Sequence, residues 1–133
     1  MEEITVHTDL ENLDKVTAFV ESALESYNPS MKVQMQLNVA IDELFSNIVH
    51  YSKSADATIQ VEVQNDPKQV KLTFIDSGVP YNPLIKADPD ITLSAEERQI
   101  GGLGIFLVKK TMDGMEYQRT DNKNQLTIYK NLA

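Results

Sequence analysis

With 133 residues, of which 41% are hydrophobic and 24% charged, the chain has the size and composition of one soluble globular domain with a sizeable core. A net charge of -8 argues against nucleic acid or an anionic membrane as partner, and no apolar run approaches the ~20 residues a membrane span needs. The absence of cysteine excludes disulfides and thiolate metal sites and fits a reducing cytoplasm, and the acidic start Met1-Glu2-Glu3 is unlike a signal peptide.

Glu3-Ile4-Thr5-Val6-His7 alternates and is rich in β-branched residues, which predicts a short first strand, with His7 as a surface histidine at its end. Thr8 or Asp9 then caps a helix whose apolar positions are Leu10, Leu13, Val16, Val20, Ala23 and Leu24. Tyr27-Asn28-Pro29 breaks that pattern, and Ser30 is placed to cap a second helix. This helix runs over about residues 30–52, and at about 100° per residue Val33, Leu37, Ile41, Leu44 and Ile48 form its buried stripe. Asp42 lies opposite the stripe and faces water. Glu43 and Asn47, four residues apart, stack on the shoulder of the stripe beside Ala40, and Gln36 and His50 continue that line. A carboxylate and a carboxamide so placed either face a cleft or form a boundary pair that merely hydrogen-bonds.

Thr58–Gln64 alternates as a strand with one buried face should, Asn65-Asp66-Pro67-Lys68 is a turn by composition, and Gln69–Ile75 returns as its antiparallel partner. The return strand ends in Asp76-Ser77-Gly78-Val79-Pro80, a pattern that suits a sheet edge meeting a ligand cleft and equally an Asx turn. Residues 81–99 hold no sustained period, and a connection of that length inside a compact domain is usually a functional loop or lid. Three of the five glycines then fall in Gly101-Gly102-Leu103-Gly104, ahead of a helix starting at Ile105. Such an entry presents free N–H groups and the positive end of the helix dipole, which suits phosphate; a tight turn into a buried helix is the other reading. Met115–Thr120 and Gln125–Lys130 flank Asp121-Asn122-Lys123-Asn124 as a closing hairpin. The element order β-α-α-β-β-loop-α-β-β predicts an α/β (α+β) two-layer sandwich, a mixed, mostly antiparallel sheet with helices on one face.

Glu43-x-x-x-Asn47 on a helix, Asp76-x-Gly78 after a strand, a long connection and then Gly102-x-Gly104-x-x-Leu107 strongly resemble the GHKL ATPase superfamily, the Bergerat ATP-binding fold. In detail, Ala40–His50, Asp76–Pro83 and Gly101–Asp113 are similar to the anti-sigma factor serine/threonine protein kinases, and the likeness runs over essentially the whole chain. There is no room for the dimerisation region of a sensor histidine kinase or for a transducer domain, so one kinase-type domain over residues 1–133 is expected.

The resemblance implies roles for the matching residues. Asn47 would ligate Mg²⁺ through its side-chain oxygen, and Glu43 would act as general base or hold the accepting hydroxyl. Asp76 would accept a hydrogen bond from the adenine amino group, Gly78 would let the backbone pass beneath the base, and Thr127 would support the adenine contact. Gly102, Leu103 and Gly104, with the N–H groups leading into Ile105 and Phe106, would wrap the phosphates of ATP, under a lid formed by residues 81–99. Arg98 stands four residues before Gly102, farther than the arginine many members place beside the glycines, so a phosphate role is not assigned to it. The implied activity is phosphoryl transfer to a serine of a STAS-type anti-sigma factor antagonist, with a sigma factor as an alternative ligand and a homodimer left open. A non-catalytic, ATP-dependent protein-binding module is the competing function, and the retained Glu43 favours the enzyme.

Overall fold

The computed structural model of the chain describes residues 1–85 and 102–132. Its elements are β1 (Glu2–His7), α1 (Leu13–Leu24), α2 (Met31–Asn47), β2 (Asp56–Gln64), β3 (Gln69–Asp76), α3 (Gly102–Thr111), β4 (Gly114–Thr120) and β5 (Lys123–Asn131). The five strands form one sheet in the order β1-β2-β3-β5-β4, and each neighbouring pair is antiparallel. The two-layer sandwich read from the sequence is therefore the fold. The remainder of the expected lid and Arg98 lie outside the described residues.

Local chemistry accounts for where the elements begin. Asp9 caps the short 3-10 turn Leu10–Asn12 that leads into α1, its Oδ1 accepting from Glu11 N at 2.9 Å. Thr8 instead donates to the carbonyls of Ser54 and Ala55 and ties β1 to the entry of β2. Ser30 caps α2 by accepting from Val33 N at 3.1 Å, as its position predicts. His7 is a surface residue, 2.7 Å from the less accessible but still exposed Asp56.

The helices cover one face of the sheet. Strand alternation sends Ile59 and Val61 of β2, Val70, Leu72 and Phe74 of β3 and Leu126 and Ile128 of β5 into the core. Opposite them stand Val16, Val20 and Leu24 of α1, Leu37, Ile41, Leu44 and Phe45 of α2, and Ile105 and Val108 of α3. A fully buried Leu, Ile or Phe contributes about 1.5–3 kcal/mol, so this layer carries most of the stability. Past Asn47, α2 widens into a π turn, Ile48–Ser52, closed by the hydrogen bond from Lys53 N to Ile48 O at 3.0 Å and ended by Lys53 at φ 56. Such widened turns recur at functional sites. Here it turns the Ser52 carbonyl toward the segment leaving β3, where Val79 N donates to it at 2.9 Å.

Candidate functional site

The carboxyl end of β3, the start of β5, the end of β4 and the last turns of α2 converge at one end of the sheet. Between them lies a narrow cleft with a cavity volume of only about 20 Å³, with Asn47, Asp76, Tyr81, Tyr117 and Asn124 on its polar wall. Leu44, Ile48, Phe74 and Leu126 supply its apolar wall. A largely apolar lining with a few placed polar groups is the usual character of a small-molecule site.

Asp76 ends β3 on the core-facing side and is 4% exposed. Its Oδ1 accepts from Gly78 N at 2.9 Å and from Asn124 Nδ2 at 3.1 Å. Glycine at 78 is demanded by space: a Cβ there would sit 2.6 Å from the carbonyl carbon of Ser52, at the end of the π turn. The expected passage beneath a base is thus accompanied by tight backbone packing on α2.

Glu43 and Asn47 occupy one face of α2, one turn apart, as their spacing predicts. Asn47 is buried and lines the cleft, and its Nδ2 has no hydrogen-bond partner among the described residues. A buried polar group in that condition is costly unless a ligand meets it. Glu43 is half-buried and its carboxylate rests against Gly104 of α3. Asp42 faces water and accepts from Ser46 Oγ at 3.2 Å, as helical geometry requires. Gln36 and His50 do not join the site. Gln36 borders a surface groove with Met35, Val39 and Leu107, and His50 is exposed with its ring 6.4 Å from that of Tyr51.

Two sequence-based placements change. Helix α3 begins at Gly102, so Gly102, Leu103 and Gly104 form its first turn, where helix N–H groups are left free for a ligand. Ile105 and Phe106, expected to offer theirs, lie beyond that turn, where N–H groups are taken by the helix's own carbonyls. Ile105 instead anchors α3 in the core, and Phe106 lies under Lys110, whose Nζ is 5.3 Å from the ring centroid.

Thr127 is the second. It pairs with Thr73 across the β3–β5 ladder, the two hydroxyls 3.4 Å apart. Thr73 and Asp76 are three residues apart on one strand, so they point to opposite faces. Thr127 therefore faces away from the cleft.

The sequence reading missed Asn124 and Arg119. The chain turns at Asp121-Asn122, both with positive φ (54 and 62), a two-residue connection shorter than the one expected. That places Asn124 within β5, opposite Asp76 on one side and Arg119 on the other. Arg119 Nη1 donates to Gly78 O at 2.9 Å, so the last hairpin grips the segment that follows Asp76. The signal was the Asp-Asn pair itself, since both residues tolerate the left-handed region that this turn needs.

Residues 6–130 match the histidine kinase-like ATPase domain family. Over 101 residues the chain is 30% identical to the serine/threonine-protein kinase BtrW of Bordetella bronchiseptica, covering 74% of this chain and 71% of that protein. Over 99% of its length it superposes on 33% of the chain in the crystal structure of the RsbU and RsbW domains of Rv1364c from Mycobacterium tuberculosis, with a TM-score of 0.68 at 12% identity. It also matches a chain of the SiaB-SiaC complex from Pseudomonas aeruginosa, with a TM-score of 0.62 at 12% identity over 98% of this chain and 89% of that one. The protein belongs to the histidine kinase-like ATPase domain family, in line with the GHKL resemblance carried by its three motifs.

Proposed function

We propose that this chain is a protein serine kinase domain that binds ATP with Mg²⁺ and transfers the γ-phosphoryl group to a STAS-type antagonist protein. The observation that carries the reading is the grouping of Asp76 and Asn47 in one cleft, with Glu43 one helical turn away against the first turn of α3. Asp76 would select adenine, because the amino group of that base donates where guanine presents an oxygen. Asn47 fits a place beside phosphates: its Nδ2 can donate to one while Oδ1 is left for the cation. Among the described residues no three His, Cys, Asp or Glu side chains converge on a metal, so the cation would be held jointly with the nucleotide's phosphates. Bound there, Mg²⁺ neutralises phosphate charge.

The chain's own residues supply the rest. The first turn of α3 offers its N–H groups and dipole to the phosphates. Glu43 takes the proton from the serine hydroxyl as the new O–P bond forms and the bond to the β-phosphate oxygen breaks, leaving ADP. Such a transfer depends mainly on positioning and charge neutralisation. The likeness to a serine/threonine-protein kinase supports the activity, and the fold's occurrence in a two-protein complex supports a protein substrate. A sigma factor as an alternative ligand is what the resemblance implies, and a homodimer is left open. We place the protein in the cytoplasm, which suits an ATP-dependent chain without cysteine; among the described residues no helix is long and apolar enough to cross a membrane.

Calorimetric titration with ATP in Mg²⁺ and in EDTA tests the site, and transfer of labelled phosphate to a STAS-type protein tests the activity. Glu43→Gln is expected to keep ATP binding and to slow transfer by about 10²- to 10⁴-fold. Asp42→Ala is expected to alter neither. Binding indifferent to EDTA would overturn the metal assignment, and Mg²⁺-dependent binding without transfer to any acceptor would favour an ATP-gated binding module.

A further inference from the structure

We infer that Asn124 is the positioning residue that fixes Asp76 for adenine, an inference that rests on the reading of Asp76 given above. Asn124 is 3% exposed, and its side-chain amide makes four hydrogen bonds, the full capacity of a carboxamide. Nδ2 donates to Asp76 Oδ1 at 3.1 Å and to Val79 O at 2.8 Å. Oδ1 accepts from Tyr81 N at 3.2 Å and from Tyr117 OH at 2.5 Å. The partners dictate the orientation of the amide: a carboxylate and a carbonyl can face only the NH₂, and a backbone N–H can face only the oxygen.

Three consequences follow from that wiring. Asn124 has no bonding capacity left for a nucleotide, so it acts through its neighbours. It ties together Asp76, Val79 and Tyr81, which are successive points on the segment leaving β3, and joins them to Tyr117 of β4. It also occupies Asp76 Oδ1, which Gly78 N bonds as well, so Oδ2 is the oxygen presented to a base. Asparagine is a poor strand residue, and its place in β5 is explained by this network. An aspartate at 124 would keep the shape and reverse the chemistry, setting carboxylate oxygens against Asp76 and the Val79 carbonyl.

The test is discrimination between ATP and purine riboside triphosphate, which lacks the exocyclic amine and is otherwise the same molecule. Wild-type protein is expected to prefer ATP by roughly ten- to a hundred-fold, the worth of a hydrogen bond to a charged group. In Asn124→Ala and Asn124→Asp that ratio is expected to collapse toward unity, because Asp76 is no longer held. A residue that only stabilised the fold would weaken both nucleotides alike and leave the ratio intact. An intact ratio in either folded variant overturns the inference. A wild-type ratio near unity instead overturns the adenine role of Asp76, and with it the premise. Should neither variant fold, nuclear magnetic resonance on the wild type decides: the Asn124 amide protons are expected to exchange slowly and to shift with ATP far more than with the amine-free analogue. Equal shifts with both overturn the inference.

Discussion

Gly104 lies so close to the Glu43 carboxylate that a Cβ on the glycine would sit 2.6 Å from Glu43 Oε1. The first turn of α3 and the carboxylate of α2 are therefore packed as one unit. Glycine here serves a side chain as much as any phosphate. In Gly104→Ala the new methyl meets the far end of a flexible side chain, which can swing aside. Alanine also favours a helix over glycine by about 1 kcal/mol, which offsets the displacement. The expected outcome is a melting temperature within a few degrees of wild type, ATP affinity changed only a few-fold, and transfer slowed about a hundred-fold, as for loss of a general base. Thermal melts and a labelled-phosphate assay on the same preparation check it.

Gly78→Ala is expected to behave in the opposite way. Its methyl would meet the Ser52 backbone, 2.6 Å from the carbonyl carbon, and that backbone is fixed by the π turn and by the bond from Val79 N. Neither side can yield cheaply, so the substitution costs about 1–3 kcal/mol, as overpacking does. Urea unfolding should show that loss as a lower midpoint at unchanged slope. A stable Gly78→Ala protein would show that the cleft can open without cost.

Asn47→Ala separates stability from binding. The amide is buried and its Nδ2 lacks a partner among the described residues, a condition that costs about 1–3 kcal/mol in the ligand-free protein. Removing it is expected to leave the melting temperature unchanged or to raise it, while Mg²⁺-dependent ATP binding disappears from the calorimeter. Functional groups are often bought at such a cost in stability. Unaltered affinity would sink the assignment of Asn47 to the cation and phosphates.

Much of the fold was legible because burial repeats along the chain. The stripe Val33-Leu37-Ile41-Leu44-Ile48 set the rotation of α2 and with it the positions of Asp42, Glu43 and Asn47. The hairpins followed from two-residue alternation. What could not be read was anything set by a single residue of register. A four-residue turn at 121–124 leaves Asn124 as loop; the two-residue turn puts the same residue in β5 on the core-facing side. The start of α3 was displaced because glycine at 102 and 104 reads as a helix breaker, whereas both lie inside the helix, Gly104 close against Glu43.

Thr127 is the sharpest case, because alternation decides it. A hydroxyl on the last strand matched the family pattern by order along the chain. The continuous β3–β5 register pairs Asp76 with Asn124 and Thr73 with Thr127, and residues three apart on a strand cannot share a face. Thr127→Ala should therefore lose its contact with Thr73, a cross-strand pair worth roughly 0.2–1 kcal/mol, together with the packing of a buried methyl on that face. ATP affinity and its preference over the amine-free analogue are expected to match wild type. A fall in affinity of about ten-fold, some 1.4 kcal/mol, would exceed anything that outer-face contact can supply and would require the hydroxyl to reach the cleft through a shifted register. The same titrations with Asn124→Ala give the contrast: two residues three apart on β5, of which the one facing the cleft governs base selection and the other does not.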